Sequence, residues 1–404
     1  MMKTIEFPLE PDSEQRDHID RMIEANRIVF NDFVGFCKEH YSKNGKLPTV
    51  FDLNRRGTAL RHIDPLVGSA YSTTLNETSK RVIQACGKTL GVHKKDCGTL
   101  ILETMEMKMH GDHFPRHREQ ERFNSYTYPT NRDFSIVRVK KDRKRKRMLK
   151  LGKVPGLIKC YNQRTRIQGT VKTCTIKRKD KGTHFEYTAS ITYEDVPKKH
   201  REPSKGPVGV DIGVSNIVAL SDGTVFPNDH MFARISENLA KQQRQLSRTT
   251  EGSERHRKIR ARINHIYEKL DNHRKNNIET ISAYIVNNHD IIGIEDLSVK
   301  ALRRKSKSRK MTNGYNDASL GALVRRIEDK ALSAGRGVIR VDPKDTSQQC
   351  SQCGSIVKKG LGVRVHSCPF CGYIADRDVN AARNILQRAL SKVTGMDRPS
   401  PSPV

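Results

Sequence analysis

The pattern of apolar and polar residues changes along the chain and predicts two kinds of structure in its first half. Residues 3–9 alternate like a short strand, and Pro11-Asp12-Ser13 then supplies a helix N-cap signal. Apolar residues recur next at helical spacing: Ile19, Met22, Ile23, Phe30, Phe33 and Cys37. Helical spacing resumes within 69–108, between glycines, at Leu75, Val82, Ile83, Leu90 and Ile101. We therefore predict a small helical domain after an initial strand.

From about residue 124 the period becomes two, which predicts short strands. The segments are 125–128, 134–139, 170–176 and 185–193. Strands at this spacing are typical of a small barrel or sandwich. The basic run 140–147 lies between them, and two interpretations stay open: a solvated or disordered loop, or a surface that follows nucleic-acid phosphates.

A second unit is predicted after residues 194–206, whose two prolines and charge cluster indicate a linker. Segment 208–214 is typical of a buried strand with Asp211 in its middle, and 215–223 predicts a partner strand and a turn. RNase H-like folds begin in this way, although sugar kinases and chaperone ATPases use a similar element.

Residues 230–288 predict a basic helical hairpin, because isoleucines and leucines recur at helical intervals around a break at 249–252. A charged helix face is usually only a solvated face. The excess of Arg and Lys over acids here favours a wall against a nucleic-acid duplex.

The chain then returns to strand and helix signals. Segment 291–297 is typical of a buried strand that ends in the carboxylate Glu295, and the basic segment 301–317 predicts a loop. A helix that Gly335 terminates should follow, with apolar residues Leu320, Leu323, Ile327, Ala331 and Leu332. Segment 338–342 predicts the last strand.

The composition of the chain predicts the kind of molecule that it binds. The 404 residues carry 75 Lys+Arg against 45 Asp+Glu, a formal net charge of +30, which predicts binding to a polyanion. A ribosomal or chromatin protein could show the same excess. The chain lacks a signal peptide and an apolar run near 18 residues, so we expect a soluble cytoplasmic protein without a membrane partner. Trp is absent, so base stacking would use Tyr, Phe, His or Arg.

Four of the nine cysteines form two Cys-x-x-Cys pairs at metal-ligand spacing: Cys350, Cys353, Cys368 and Cys371. Four thiolates close a tetrahedral Zn²⁺ site and leave no position for water, so we predict a structural role. A redox dithiol would fit one pair better than two. His366 is a candidate ligand that four thiolates do not need. The others, Cys37, Cys86, Cys97, Cys160 and Cys174, are scattered, which favours a reducing compartment.

Three carboxylates are candidates for catalysis: Asp211 in a strand, Glu295 at a strand's end, and Asp378 at a predicted helix start. Converging carboxylates repel one another unless divalent cations neutralise them, and oxygen ligands select Mg²⁺ or Mn²⁺. Two such ions can activate water and stabilise the leaving oxygen in phosphodiester cleavage. Taken singly, Asp378 could cap a helix and Glu295 could lie at a surface.

These motifs together resemble the TnpB family of transposon-encoded, RNA-guided DNA endonucleases, relatives of the type V CRISPR effectors. The resemblance covers about 205–392 closely and the first 200 residues loosely. It rests on five segments: Gly-Val-Asp-Ile-Gly at 209–213, Gly-Ile-Glu-Asp-Leu at 293–297, the two cysteine knuckles at 346–354 and 368–372, and Asp-Arg-Asp-Val-Asn-Ala-Ala at 376–382.

The resemblance implies an α+β multidomain fold: an RNase H-like (RuvC) nuclease domain with an inserted zinc ribbon, and a β-barrel wedge domain with an inserted helical recognition domain. The implied limits are 1–10 and 115–200 for the wedge, 11–114 for recognition, 205–342 and 375–393 for the nuclease, including the hairpin 230–288, 343–374 for the ribbon, and 394–404 for a flexible tail.

The resemblance also implies the site. Asp211, Glu295 and Asp378 match the catalytic triad that holds Mg²⁺, and Asp376 is the alternative third acid. Cys350, Cys353, Cys368 and Cys371 match the zinc ligands. Arg364 is a candidate phosphate contact, and His366 stands where an aromatic residue is common.

The expected function is Mg²⁺-dependent, RNA-guided cleavage of double-stranded DNA by a monomer that carries a guide RNA and reads a short flanking motif, within the prokaryotic cytoplasm and its nucleoid. Three alternatives stay open: an RNA-guided repressor that does not cut, a compact type V CRISPR effector, and a plain RNA-binding zinc-ribbon protein. A repressor should have lost a triad carboxylate, and all three are present.

Overall fold

The computed structural model describes residues 2–90, 93–94, 100–101, 114–141, 144–161, 168–197, 202–203, 205–296, 319–360 and 362–395. The chain divides into two compact units, Met1–Val196 and Pro197–Val404, within the predicted linker. The basic segment 301–317, Cys97 and all but the first two residues of the predicted tail lie outside the described residues.

The first unit begins with the predicted strand and helix. Strand β1 (Lys3–Glu10) leads into α1 (Ser13–Asn44), and the Asp12 carboxylate accepts a hydrogen bond from the Gln15 backbone N–H at 2.9 Å. The predicted apolar stripe of α1 is buried. Full burial of a side chain of this size contributes about 1.5–3 kcal/mol, so the stripe holds α1 in the core.

Two helices, α2 (Val50–Ile63) and α3 (Pro65–Ser69), were not predicted and precede α4 (Ser72–Thr89). The sequence does carry their start signals: a capping box between Thr49 and Asp52, and Asp64 before a proline. The helical prediction is wrong at Ile101. That residue lies in strand β3 (Leu100–Ile101), which pairs with β2 (His93–Lys94), because α4 already ends at Thr89.

The predicted strands of the first unit are confirmed, with two additions. They are β4 (Ser125–Tyr128), β5 (Phe134–Lys141), β6 (Lys144–Leu151), β7 (Ile158–Cys160), β8 (Thr170–Asp180) and β9 (Phe185–Glu194), of which β6 and β7 were not predicted. With β1 they form, in the described part of the chain, a seven-stranded antiparallel sheet of order β4-β8-β9-β1-β7-β6-β5. The sheet curls, since the rings of Tyr128 on β4 and Phe134 on β5, its two edge strands, lie 6.3 Å apart.

The basic run 140–147 is not a loop in its described part. It continues β5 and starts β6, with Lys140 paired to Arg145 and Lys141 to Lys144. The reason is visible on β6, where Arg147 faces the core with Leu149 and stacks its guanidinium 5.1 Å from the centre of the Phe7 ring. A guanidinium over an aromatic face can be buried, so this arginine continues the strand alternation.

The second unit is built on a sheet with helices on both faces. Its strands are β10 (Val208–Asp211), β11 (Asn216–Leu220), β12 (Val225–Pro227), β13 (Ile291–Glu295) and β14 (Gly337–Val341). In the described residues their order is β12-β11-β10-β13-β14, with β10, β13 and β14 parallel and β11 antiparallel to its neighbours. The helices are α5 (Met231–Ser247), α6 (Glu254–Asn288), α7 (Leu320–Ala334) and α8 (Arg377–Thr394), and a small pair of strands, β15 (Val365–Ser367) and β16 (Ile374–Asp376), precedes α8.

The predicted basic hairpin is confirmed as α5 and α6. The helix ended by Gly335, in the left-handed conformation at φ 72°, is confirmed as α7, although Leu332 is 60% exposed and not part of its apolar face. Asp211 ends β10 rather than lying in its middle, because the chain leaves the sheet at Ile212 to turn into β11.

Two glycines let α8 lie directly on the sheet. A Cβ atom added at Gly209 would lie 1.9 Å from the Ala382 carbonyl oxygen, and one at Gly293 would lie 2.8 Å from the Ala389 Cβ. Val208 and Val210 alternate with Gly209 and belong to the apolar cluster that includes Ile285 of α6 and Leu323 of α7. The glycines therefore place the first turns of α8 against β10.

We expect Gly209→Ala to destabilise the second unit by about 1–3 kcal/mol, as overpacking of a close backbone contact does. Gly337→Ala is the matched control, because it lies in the same sheet with nothing within 4 Å of the added Cβ. Urea unfolding followed by circular dichroism measures both. Equal stability of the two variants would contradict this packing.

Candidate active site and metal centre

Two of the three candidate carboxylates lie at the same edge of the sheet. Strands β10 and β13 are parallel, with Val210 opposite Ile294, so Asp211 and Glu295 follow at neighbouring strand ends. Side chains alternate along a strand, and Val210 and Ile294 belong to the α6–α7 core. Asp211 and Glu295 therefore point to the other face, where α8 lies.

The third carboxylate comes from the first turn of α8. Asp376 is the N-cap: its side chain accepts hydrogen bonds from the backbone N–H groups of Asp378 at 2.8 Å and Val379 at 3.1 Å. The capping role considered for Asp378 thus belongs to Asp376, whose carboxylate is already engaged. Asp378 is buried, with 8% exposure, and its side chain is free of capping.

Asp211 lies within electrostatic reach of the other two carboxylates. Desolvation raises the pKa of Asp211 well above its ordinary value, and the negative charges of Glu295 and Asp378 raise it further, while Arg377 opposes the shift. Burial also raises the pKa of Glu295, against a hydrogen bond from Thr346. The burial and the two neighbouring charges that oppose ionisation of Asp211 are costs that a bound cation would offset.

Several neighbours hold the carboxylates in place. The Thr346 hydroxyl donates to Glu295 Oε1. Asn216 Nδ2 donates to Asp378 Oδ2 at 3.1 Å, and Arg377 donates through two nitrogens to Asp378 Oδ1, each at 3.1 Å. Arg364 is half exposed, and its Nη1 lies 3.9 Å from Asp378 Oδ2, so it borders the same site.

The four predicted cysteines come together as one cluster. Cys350 Sγ lies 3.7 Å from Cys371 Sγ, Cys353 Sγ lies 3.6 Å from Cys368 Sγ, and all four sulfurs lie within 4.8 Å of one another. A tetrahedron with metal–sulfur distances of about 2.3 Å has sulfur–sulfur edges of about 3.8 Å. The cluster thus has the dimensions of a four-thiolate zinc site, and a disulfide, at about 2.05 Å, is excluded.

The three carboxylates are less tightly grouped. Within the described ranges, only the cysteines bring three or more candidate ligand atoms inside 4.8 Å.

Backbone turns shape each cysteine pair. Gly354 N–H donates to the Cys350 carbonyl at 2.9 Å, and Gly372 N–H donates to the Cys368 carbonyl at 3.0 Å. Both glycines have left-handed backbones, with φ of 80° and 73°, which a side chain would disfavour. The two pairs therefore present their thiols from equivalent turns.

Helix α8 connects the cysteine cluster to the carboxylates. Asn380 is fully buried; it accepts from the Ser351 N–H at 2.9 Å and donates to the Gln349 carbonyl at 2.7 Å. One turn later, Asn384 Nδ2 donates to the Thr346 carbonyl at 2.9 Å. The segment that carries the first knuckle is thus fixed to the helix that carries Asp378, and Thr346 extends the contact to Glu295.

The sequence predictions for the site fall into two groups. Asp211, Glu295 and Asp378 gather at one sheet edge, and the four cysteines gather beside α8. His366 lies in strand β15 and is buried, and its ring contacts Lys359. Sequence reasoning did not identify the hydrogen-bonding residues Asn216, Thr346, Asn380 and Asn384. Asn380 and Asn384 lie four residues apart at the start of the predicted helix, close to Asp378. This spacing, which places both on one helix face, was the signal that the sequence offered.

Three family models match parts of this chain. A family model described as the TNB domain of Cas12f1-like proteins matches residues 321–385, which include the cysteines and Asp378. A model described as "probable transposase" matches 190–306, and a helix-turn-helix domain model matches 1–46. No helix of the described residues is both long enough and apolar enough to cross a membrane.

Among curated proteins, the chain is 30% identical over 286 residues to a protein of Escherichia coli K12 provisionally named RNA-guided DNA endonuclease InsQ, covering 68% of each chain. A Streptomyces pristinaespiralis protein with a similar provisional name, RNA-guided DNA endonuclease, is 34% identical over 46% of this chain and 45% of its own length. Among solved structures, Cas12f1 in a complex with sgRNA and target DNA shares the fold, with a TM-score of 0.53 at 14% identity over 95% of this chain and 98% of that chain.

Proposed function

The chain belongs to the TnpB family, and from this premise we propose that it is a transposon-encoded, RNA-guided DNA endonuclease. The observation that carries the proposal is the meeting of Asp211, Glu295 and Asp378 at one edge of the second sheet. Relatives that bear the name endonuclease support the reaction class. The strand order supports assignment of the second unit to an RNase H-like (RuvC) nuclease fold.

The carboxylates fit a divalent cation. Desolvation and mutual repulsion raise the pKa of Asp211, and a cation beside it would relieve both costs. We assign Asp211, Glu295 and Asp378 as the residues that would hold Mg²⁺, in a site for two ions. When bound, the ions supply activated water and stabilise the leaving oxygen of the phosphodiester bond.

The surrounding residues orient these ligands and the substrate. Thr346 fixes one oxygen of Glu295, while Asn216 and Arg377 each hold a different oxygen of Asp378. Arg364 is exposed beside Asp378 and carries a charge that suits a phosphate of the bound strand. We assign Arg364 to that contact and the other three to ligand positioning.

The cysteine cluster fits Zn²⁺ in a structural role. Its sulfur–sulfur distances match a closed tetrahedral site, which has no position for a reacting water. We propose that zinc at Cys350, Cys353, Cys368 and Cys371 stiffens the segment that Asn380 and Asn384 attach to α8. In this way zinc fixes the position of Asp378 without touching the substrate.

The first unit, with its helices and curled sheet, is proposed to form the recognition and wedge domains within the limits given above. Base pairing by a guide RNA would select the DNA, so the protein needs basic surfaces and a contact to a short flanking motif rather than base-reading motifs. We propose that one chain binds one guide RNA and its DNA target.

One other candidate has an observation in its favour. The fold is shared with Cas12f1, so a compact type V CRISPR effector would have the same architecture. The source of the guide separates the two functions, because an effector takes RNA from a repeat array and a transposon protein takes it from beside the transposon end.

Sequencing the RNA that copurifies with the protein tests the proposal. We expect one structured RNA that ends in a variable guide, and cleavage of a plasmid matching that guide in Mg²⁺. RNA from a repeat array would favour the CRISPR candidate. A plasmid that is bound yet stays intact would favour an RNA-guided repressor and contradict the nuclease.

A further inference from the structure

The loop between strands β10 and β11 contacts two of the three carboxylates. At its start, the Ile212 backbone N–H donates to the Asp211 carboxylate. At its end, Asn216 Nδ2 donates to Asp378 Oδ2 at 3.1 Å. The positions of Asp211 and Asp378 relative to each other therefore depend on the conformation of residues 212–216.

Asn228, the residue after strand β12, holds the middle of this loop. Its side-chain Nδ2 donates to the Val214 carbonyl at 2.8 Å, and its backbone N–H donates to the Ser215 carbonyl at 3.1 Å. These acceptors directly precede Asn216, which pairs with Pro227 in the sheet. Only 7% of Asn228 is exposed, so water competes little for its hydrogen bonds.

The backbone around Asn228 is fixed from its other side. Asn228 Oδ1 accepts from the His230 N–H at 3.1 Å, and His230 has a left-handed backbone, with φ of 50°, where helix α5 begins. The neighbouring Asp229 Oδ2 lies 2.7 Å from His273 Nε2 of α6 and 3.4 Å from Arg234 Nη2 of α5. Because this segment is attached to both helices, Asn228 can hold the loop in place.

An amide suits this position because it donates and accepts at the same time. Asn228 gives a hydrogen bond to the Val214 carbonyl and takes one from the His230 N–H. An ionised aspartate has the same shape but can only accept, and leucine can do neither. The residue type therefore matches a link between the start of α5 and the loop.

We propose that Asn228 is a positioning residue of the carboxylate site: by holding the 212–216 loop, it keeps Asp211 and Asp378 in the arrangement that binds a divalent cation. The inference rests on the proposed function, in which these carboxylates hold Mg²⁺. Asn228 touches neither the metal nor the substrate in this role. It acts on two ligands through one loop, so its loss should weaken metal binding.

The test replaces the amide by a carboxylate. Asn228→Asp keeps an oxygen that accepts from His230, but it places an acceptor against the Val214 carbonyl. Asn228→Ala removes the donor without adding a charge, so a loss shared by both variants does not come from the new charge.

Asn288→Asp is the matched control for the substitution. Asn288 Nδ2 also donates to a backbone carbonyl at 2.8 Å, that of Tyr284. Asn288 ends α6 just before β13 begins, so it lies at the opposite end of this strand from Glu295. The same exchange of amide for carboxylate therefore occurs in the same unit without contact to the 212–216 loop.

The first readout is Mn²⁺ binding by the full-length protein, freed of copurified RNA, from the electron paramagnetic resonance signal of free Mn²⁺. Subtraction of the binding that remains in Asp211→Asn isolates the carboxylate site. We expect both Asn228 variants to weaken Mn²⁺ binding there by about 10- to 100-fold, as loss of an outer hydrogen bond to a metal ligand does. Asn288→Asp should bind Mn²⁺ like the wild type.

The second readout is single-turnover DNA cleavage by the RNA-loaded protein over a series of Mg²⁺ concentrations. The Asn228 variants should need more Mg²⁺ for half of their maximal rate, and saturating Mg²⁺ should restore most of that rate. A residue that only stabilises the fold would lower the rate at every Mg²⁺ concentration and leave the half-saturating concentration unchanged. Urea unfolding followed by circular dichroism measures the stability of each variant separately.

Unchanged Mn²⁺ affinity in the Asn228 variants would overturn the proposal. An equal loss of affinity in Asn288→Asp would also overturn it, because affinity would then follow stability alone. Wild-type protein without Asp211-dependent Mn²⁺ binding would do the same.

These failures are distinct from failure of the proposed function. A protein that cuts guide-matched DNA but binds Mn²⁺ independently of Asn228 loses only the positioning role. One that binds Mn²⁺ in an Asn228-dependent way and cuts no DNA contradicts the nuclease alone.

Discussion

Asp211→Asn is expected to reduce DNA cleavage by the RNA-loaded protein by about 10³-fold or more, while RNA binding stays at the wild-type level. The carboxylate lies where strand β10 ends, beside Glu295 and Asp378, and Asn has the same shape without the charge. Loss of one metal ligand removes several kcal/mol of transition-state stabilisation, and about 1.4 kcal/mol corresponds to a factor of ten in rate. Single-turnover cleavage of a matching plasmid measures the rate.

A stability measurement accompanies this prediction. The folded state raises the pKa of Asp211, so it binds a proton more tightly than the unfolded chain does. Without added divalent cations, the contribution of Asp211 to stability should therefore fall as pH rises from about 4 toward the raised pKa. Asp211→Asn should flatten this dependence and melt at a higher temperature at neutral pH.

Asp222→Asn is the matched control, because Asp222 lies in the turn after β11 and pairs with Lys205 at 2.9 Å, away from the carboxylate cluster. The Asp222→Asn variant should cut DNA at nearly the wild-type rate.

Glu295→Gln and Asp378→Asn should each lose as much cleavage activity as Asp211→Asn. The triple variant should lose hardly more, because the three residues act as a unit. Wild-type cutting by Asp211→Asn would refute the assignment.

Cys368→Ser is expected to lower zinc content and DNA cleavage together. Cys368 is 2% exposed and shares the cluster with three other thiols. Loss of a ligand should cost more than the 10- to 100-fold in affinity that loss of an outer hydrogen bond to a ligand costs. The knuckle that Asn380 and Asn384 attach to α8 then loosens, and Asp378 loses its fixed position. Metal analysis by mass spectrometry and the cleavage assay measure the two effects.

Two controls separate zinc from catalysis. Cys174→Ala changes a buried free cysteine of the first unit and should keep full zinc content. Asp378→Asn should keep zinc and lose cleavage, because Asp378 is not a member of the thiol cluster. Loss of zinc from the Asp378 variant would mean that the two sites are not separable in the way proposed.

Local signals predicted much of the fold. The period-two segments became strands, Asp12 capped α1, and the break at 249–252 separated α5 from α6. Helix α2 was not predicted, because it has only a weak apolar face. Of its residues, only Leu53 and Gly57 are buried. Strand β6 was not predicted, because a run of basic residues is typical of a solvated loop. The structure shows that one of them, Arg147, stacks on Phe7.

The site was predicted as far as its chemistry could be identified by residue type. Carboxylates within predicted strands, and cysteines in Cys-x-x-Cys pairs, indicate metal binding by residue type and spacing alone. Thr346 and Asn216 could not be found in this way, because their roles arise from contacts with Glu295 and Asp378, 51 and 162 residues away in sequence. Such contacts depend on how α8 packs on the sheet, which Gly209 and Gly293 permit.

The central claim is that a bound RNA directs this carboxylate site to matching DNA. The most direct test loads the protein with two RNAs that differ only in their guide and offers each complex two plasmids, one matching each guide. We predict Mg²⁺-dependent cutting in the two matched combinations and none in the two mismatched ones. Cutting that ignores the guide, or no cutting in any combination, would contradict the account.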